Sequence, residues 1–389
     1  MISVPLPQQR VSEDAALIFS AAAGNAISIS DADAGILPVT VTLVSGGTLT
    51  LARTDGLIFL VGDGASDGAM TIVGALGDIN AALDGLIFLP PDNPTATTTL
   101  TIITTDVGGV LQGADVTETI NISVAATNDA PVNTFPAALQ NTSEHTPLTL
   151  STASGNRIAV LDYDIGVGKL RVTLAASGGT VTLAQLVGLT MLSGDGTGDG
   201  VVSFEATPSW ANAALDGLVF TPTPDYAGVA SIRVVTSDLG STGVGGAKTD
   251  DDIIAINISP VNDAPVLAVS GAALAYVEGD GAASIDPALG LSDADNATFA
   301  GATVRIVGHV AGQDVLGFVD RLGIAGSFDA TSGVLTLSGT ATIADYQAAL
   351  RSVTYENLRS NPAETSRAIR FTVSDGFATV FGDRPVTVS

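Results

Sequence analysis

The chain has no cysteine in its 389 residues. Disulfide staples, thiolate metal sites and a cysteine nucleophile are thereby excluded. Histidine occurs at only two positions, His145 and His309. They are distant in sequence and lack thiol partners, which points away from a transition-metal centre or a catalytic triad. Aromatics make up 5% of the chain, with Trp210 the single tryptophan, so the stacked platforms of a sugar-cleaving cleft are missing. Trp210 is expected to pack beside a helix. Basic residues number 14 against 40 acidic ones, a net charge of -26. Such a surface repels nucleic acid and anionic membranes and attracts cations. The apolar-looking stretch Ala15 to Ile29 is broken by Ser20, Gly24 and Asn25 and is too short and mixed to cross a bilayer. Met1 to Arg10 has no apolar core and does not read as a signal peptide. No P-loop or His-Glu-x-x-His occurs, so the chain reads as no enzyme.

What the chain does have is repetition. Thr127-Asn128-Asp129-Ala130-Pro131-Val132 returns as Val261-Asn262-Asp263-Ala264-Pro265-Val266. Asp-x-Asp pairs fall at Asp31/Asp33, Asp162/Asp164 and Asp293/Asp295, and Glu starts at Glu13, Glu144 and Glu278. A helical phrase ending in Leu83, Leu215 and Leu350 recurs, as does a strand ending in Asp106, Asp238 and Asp375. A period of this kind decides the architecture before any local signal does. Three modules follow, 1–128, 129–262 and 263–389, each large enough to bury its own core. The last ends where another linker phrase would fall, which reads as a piece of a longer chain.

Within a module, period-two alternation marks half-buried strands such as Thr40-Val41-Thr42-Leu43 and Ile120-Asn121-Ile122. Many short strands separated by Gly, Asp and Asn turns predict an antiparallel Greek-key β-sandwich, with one short helix plugging an end or edge. The fold class is therefore all-β: three tandem sandwiches in an elongated rod. Counted up and down, such a topology puts the start of the first strand, the Asp-x-Asp loop and the Asp-ended strand at one pole, beside the incoming linker. Carboxylates gathered there repel unless a cation joins them, and Ca²⁺ accepts six to eight oxygens. Asp63/Asp67 and Asp195/Asp199, in Asp-Gly-rich phrases, read instead as plain hairpin turns.

The Asn-Asp-Ala-Pro-Val linker, Glu start, Asp-x-Asp loop and Asp-ended strand together resemble cadherin-like repeats. The closer resemblance is to bacterial tandem repeats of large secreted or surface adhesins; Phe220-Thr221-Pro222-Thr223-Pro224-Asp225-Tyr226-Ala227-Gly228 is shared with related proteoglycan-type repeats. The resemblance implies Ca²⁺ bound at the joints. One joint would use Asn128, Asp129, Glu144, Asp162, Asp164 and Asp238; the next, Asn262, Asp263, Glu278, Asp293, Asp295 and Asp375. A weaker set in the first module would be Glu13, Asp31, Asp33 and Asp106, with no Asn-Asp linker before it. The shortened linker implies one or two ions per joint. The implied role is a non-catalytic, calcium-stiffened monomeric segment at the cell surface or secreted, projecting a distal binding domain, with neighbouring repeats of the same larger protein as its partners. The alternative is an array whose modules themselves bind a surface glycan or protein; a carbohydrate-active enzyme is a remote third.

Overall fold

The computed structural model describes residues 1–5, 8–31, 38–91, 97–105, 115–240, 243–277, 279–359 and 367–389. The chain divides into two compact units. One contains the first two sandwiches; the other is the third sandwich together with Ser143–His145 and Thr223–Gly228. Among the described residues each sandwich carries a single short helix, as expected: α1 (Leu76–Leu83), α2 (Pro208–Leu215) and α3 (Ile343–Arg351). None is long and apolar enough to cross a membrane.

The larger sheet has the same order in all three. In the first sandwich it runs Gln8–Ser12, Val116–Ala125, Thr97–Thr105, Pro38–Thr50, Asp67–Ala75, Leu57–Val61. In the third it runs Leu274–Tyr276, Thr379–Val388, Arg367–Ser374, Thr298–Val307, Val334–Thr342, Ala325–Asp329. Spatial neighbours that are not sequence neighbours require chain crossings from sheet to sheet. The alternation seen in the sequence is realised: every second residue of Arg367–Ser374 is buried. Val41, Leu43, Leu100, Ile102, Ile120 and Ile122 fill the first core, each burial worth about 1.5–3 kcal/mol.

Chain crossing between layers depends on glycine at one point. In the first sandwich the strand Pro38–Thr50 pairs with the large sheet through Thr40–Ser45, then with Leu86–Leu89 through Thr48–Thr50. Gly47 lies at the switch, where a Cβ would stand 2.2 Å from the Leu89 carbonyl oxygen. Gly179, at the matching corner of the second sandwich, would put a Cβ 2.4 Å from the Thr221 oxygen.

One pairing runs against the up-and-down count. Gln8–Ser12 lies parallel to Val116–Ala125, with Ser12 opposite Ala125, and Leu274–Tyr276 lies parallel to Thr379–Val388. The first edge strand thus travels with the last strand and finishes at the outgoing end of its sandwich. In the first two sandwiches the following glutamate, Glu13 or Glu144, goes to that end too.

A small antiparallel ribbon closes each incoming end. Ile2–Ser3 pairs with Ser28–Ile29, Val132–Thr134 with Ala159–Leu161, and Val266–Ala268 with Gly290–Ser292. The helix holds this ribbon through one side chain. Asn80 accepts from the Ile29 N–H and donates to its carbonyl, both at 2.8 Å. Asn212 makes the same pair with Val160, again 2.8 Å each way. Gln347 accepts from the Leu291 N–H at 2.9 Å. An amide side chain here serves the ribbon's open edge as a neighbouring strand would. The Asp-x-Asp loop begins within two residues of that clamp in every repeat.

A buried ion pair in the third sandwich is structural. Arg367 and Asp314 are both fully buried and lie 2.8 Å apart, with Tyr355 and Asn357 also donating to Asp314 at 2.7 and 2.9 Å. Burial works to raise the Asp314 carboxyl, but the Arg367 and Tyr355 hydrogen bonds hold it below the usual range. No solvent reaches this network, so it anchors strands and offers no reacting group.

Candidate metal centres

Two groups of oxygens form around the two linkers. At the first, Asn128 is fully buried, and its Nδ2 donates to Asp238 Oδ2 at 2.6 Å and to the Gly246 carbonyl at 2.9 Å. Two acceptors on one face fix which way the amide points, so Oδ1 faces the other way. Asp238 is oriented in turn by the N–H groups of Gly240 and Lys248, both 2.8 Å from Oδ1. Asp129 donates its N–H to Asp164 Oδ2 at 2.8 Å. Asp162, 6% exposed, accepts through Oδ1 from the N–H groups of Asp164 and Ile165 at 3.2 and 3.0 Å. What remains are three buried oxygens with no hydrogen-bond partner: Asn128 Oδ1, Asp162 Oδ2 and Asp164 Oδ1. A buried lone pair left unmade costs about 1–3 kcal/mol. Burial first, then the neighbouring Asp164 carboxylate, push the Asp162 carboxyl up to about 7.

The second group repeats the pattern within the C-terminal unit. Asn262 Nδ2 donates to Asp375 Oδ2 at 2.8 Å. The Asp263 N–H donates to Asp295 Oδ2, and Asp293 Oδ1 takes the N–H groups of Asp295 and Asn296 at 3.0 and 2.8 Å. Asp263 Oδ2 and Asp293 Oδ2 are buried without a hydrogen-bond partner. The Asn262 hydrogen bond, then the N–H groups of Ala378 and Phe377, hold Asp375 below the usual range. Burial pushes Asp263 up, opposed by His145, and Asp295, Asp225 and Glu144 add to the rise.

The glutamates correct the expected grouping. Glu13 is buried; its side chain accepts from the Thr127 N–H, and its own N–H donates to Ala125 O at 3.2 Å. It therefore sits one residue from Asn128, at the outgoing end, and not with Asp31 at the incoming one. Glu144 likewise accepts from the Val261 N–H and donates its N–H to Ser259 O at 3.1 Å. It joins Asn262 and Asp263, not Asn128 and Asp162. The parallel edge pairing is the cause, since it carries each Glu to the far pole of its own sandwich. Asp31 is half-buried, next to Ser30, whose N–H bonds the Met1 carbonyl at 2.9 Å. Asp33, Asp106 and Glu278 lie outside the described residues.

Two features escaped the sequence. The Asn80, Asn212 and Gln347 clamps lie inside a phrase legible only as helical. The other is a glycine-rich strap after Asp238: Val244 bridges to Thr127, and its carbonyl accepts from the Asn128 N–H at 3.0 Å. Gly243 is at φ +70°, and a Cβ there would stand 2.5 Å from the Asn128 nitrogen. The hairpin acids behave as expected of turns. Asp67 accepts from the N–H groups of Asp63 and Gly64 at 3.0 and 2.7 Å, and Asp199 from those of Asp195 and Gly196 at 3.1 and 2.7 Å. Trp210 is half exposed on α2, and its ring occupies the space a Cβ on Gly188 would need.

No family model matches the chain, and no curated protein matches it. Solved structures do. The human CDH23 EC21-23 structure is 14% identical, over 99% of this chain and 100% of that one, with a TM-score of 0.38. The mouse clustered PcdhgC3 EC1-3 structure is 13% identical, over 99% of this chain and 100% of that one, with a TM-score of 0.32. The Protocadherin Gamma B2 extracellular cadherin domains 1-5 structure is 15% identical with a TM-score of 0.33; it covers all of this chain, which spans 60% of its length.

Proposed function

We propose that this chain is a non-catalytic, calcium-binding segment of an extracellular adhesin of bacterial type, in which ions at the linkers stiffen the array so that it projects a distal binding domain. One observation carries the reading. Asn128 Oδ1, Asp162 Oδ2 and Asp164 Oδ1 are buried without a hydrogen-bond partner beside one linker, as are Asp263 Oδ2 and Asp293 Oδ2 beside the next, where Asp293 holds the place of Asp162 in the repeat. A fold that needed these oxygens only as turn caps would have given each a donor. The donor set is carboxylate and amide oxygen, suited to a hard divalent cation of flexible coordination.

The residues that would hold an ion at the first linker are Glu13, Asn128, Asp129, Asp162 and Asp164, with Asp238 orienting Asn128. At the second they are Glu144, Asn262, Asp263, Asp293 and Asp295, with Asp375 in the orienting role. The bound ion would supply positive charge where like charges now oppose one another, and thereby order the linker segment. Extracellular modules function with Kd of about 10⁻⁴–10⁻³ M. The test is thermal melting and small-angle scattering of the full chain in EDTA and in about 2 mM Ca²⁺, a concentration in excess of such Kd values. Calcium is expected to raise Tm and narrow the distribution of end-to-end distances. Identical melts and scattering curves in the two buffers would end the proposal.

A further inference from the structure

The second linker holds a group that the first lacks. His145 follows Glu144 directly, whereas the residue following Glu13 is the exposed Asp14. His145 Nε2 stands 3.6 Å from Asp263 Oδ2 and 3.9 Å from Asp225 Oδ1. Ligand atoms of Glu144, His145 and Asp263 all lie within 4.8 Å of one another. The two His–Asp separations are too long for a hydrogen bond, which needs about 2.7–3.2 Å. They approach the spacing of neighbouring ligands around a tetrahedral ion: bonds of about 2.0–2.1 Å put such atoms about 3.3 Å apart.

Independent support comes from the carboxylates themselves. Asp263 Oδ2 has no accessible surface and no hydrogen-bond donor, although it faces the imidazole. Glu144 is 3% exposed and pinned by the Val261 N–H, so the residue beside it is delivered to a fixed place. Three carboxylates around one imidazole are more negative charge than a single protonated histidine balances.

From this the geometry points to a second type of cation site, for a borderline divalent ion of the zinc class, formed by His145 Nε2 with Asp263 and Glu144 and completed by Asp225, whose Oδ1 stands 3.9 Å from the imidazole and must swing in to join them. Imidazole nitrogen favours such ions over calcium, which prefers oxygen alone. Histidine scarcity hid the site in the sequence: its ligands come from positions 144–145, 225 and 263, and only folding assembles them. The site shares Glu144 and Asp263 with the calcium reading but stands on its own residues if calcium does not bind.

The test is a Zn²⁺ titration of the full, calcium-free chain at pH 7, by calorimetry and by NMR of the imidazole C–H resonances. With two histidines in the chain, the signals resolve site from site. One equivalent of Zn²⁺ is expected to shift the His145 resonances and spare those of His309, which is engaged with the Ala330 carbonyl at 2.9 Å. His145→Ala and His145→Gln are expected to weaken Zn²⁺ binding at least tenfold while the metal-free chain still folds, since His145 is 43% exposed. Asp162→Asn, at the other linker, should leave Zn²⁺ binding intact. Absence of saturable binding, equal affinity in the His145 variants, or a shift of His309 instead would overturn the assignment. Zn²⁺ binding without any Ca²⁺ binding would uphold it and remove the calcium reading alone.

Discussion

Asp162→Asn is expected to stabilise the ion-free chain while weakening its response to calcium. Oδ1 of Asp162 accepts two backbone N–H bonds that an amide oxygen accepts equally well, and Oδ2 has no donor. An amide NH₂ at the Oδ2 position would turn a repulsive approach to Asp164 into a donated hydrogen bond. The raised value, about 7 against 3.8, sets an upper bound of about 4 kcal/mol at about 1.36 kcal/mol per unit. Water at the rim and the titration shared with Asp164 reduce this to about 1–2 kcal/mol. The corresponding rise in Tm is about 2–8 °C for a cooperative unit of this size.

Calcium narrows or cancels the variant's lead. With a Kd of about 10⁻⁴ M and about 2 mM ion, the wild-type site gains about 1.8 kcal/mol; a tenfold weaker variant site gains about 0.6 kcal/mol. The pH dependence follows from the sign of the shift. A carboxyl whose folded pKa is raised binds its proton better when folded, so its penalty is absent below about pH 4. The penalty grows as pH rises through about 7. The melting difference between variant and wild type, read by scanning calorimetry in EDTA, should therefore close on acidification. A variant that melts lower than wild type at pH 8 without ions, or one that gains as much from calcium, would refute the reasoning.

Other perturbations separate the supporting parts. Asn212→Ala strands the Val160 N–H and carbonyl, at a cost of about 1–3 kcal/mol; because Val160 leads into Asp162, calorimetry should also show weaker calcium binding at the first linker. Asn80→Ala in the first sandwich should cost similar stability and leave that binding unchanged. Gly243→Val meets the Asn128 nitrogen and a left-handed backbone, the latter alone worth about 1–2 kcal/mol. Amide exchange at Asn128, whose N–H bonds Val244, should accelerate more than in Gly246→Ala, which shares the left-handed backbone at φ +73° but has open space around its Cβ position.

Fold class, three-fold repetition, the three helices and the acidic residue types were all legible in the chain, because each depends on local periodicity. Alternation of Thr and Val predicts a half-buried strand wherever it occurs, and Asp-Gly phrases predict turns that Asp67 and Asp199 indeed cap. The partners of Glu13 and Glu144 were not legible. A parallel pairing of the first edge strand with the last depends on which sheet edge is open, a property of the assembled sandwich and of no short segment. That one choice moved each glutamate to the opposite pole and exchanged the members of the two clusters.

Burial was the other quantity decided only in three dimensions. Asp31, Asp162 and Asp293 occupy the same place in the repeat, yet whether a carboxylate oxygen is left without a donor depends on the Asn clamp, the strap and the linker closing around it. Sequence determined which oxygens exist; the tertiary structure determined which of them converge, dry and unpaired, because desolvation and charge repulsion act through distance in space and not along the chain.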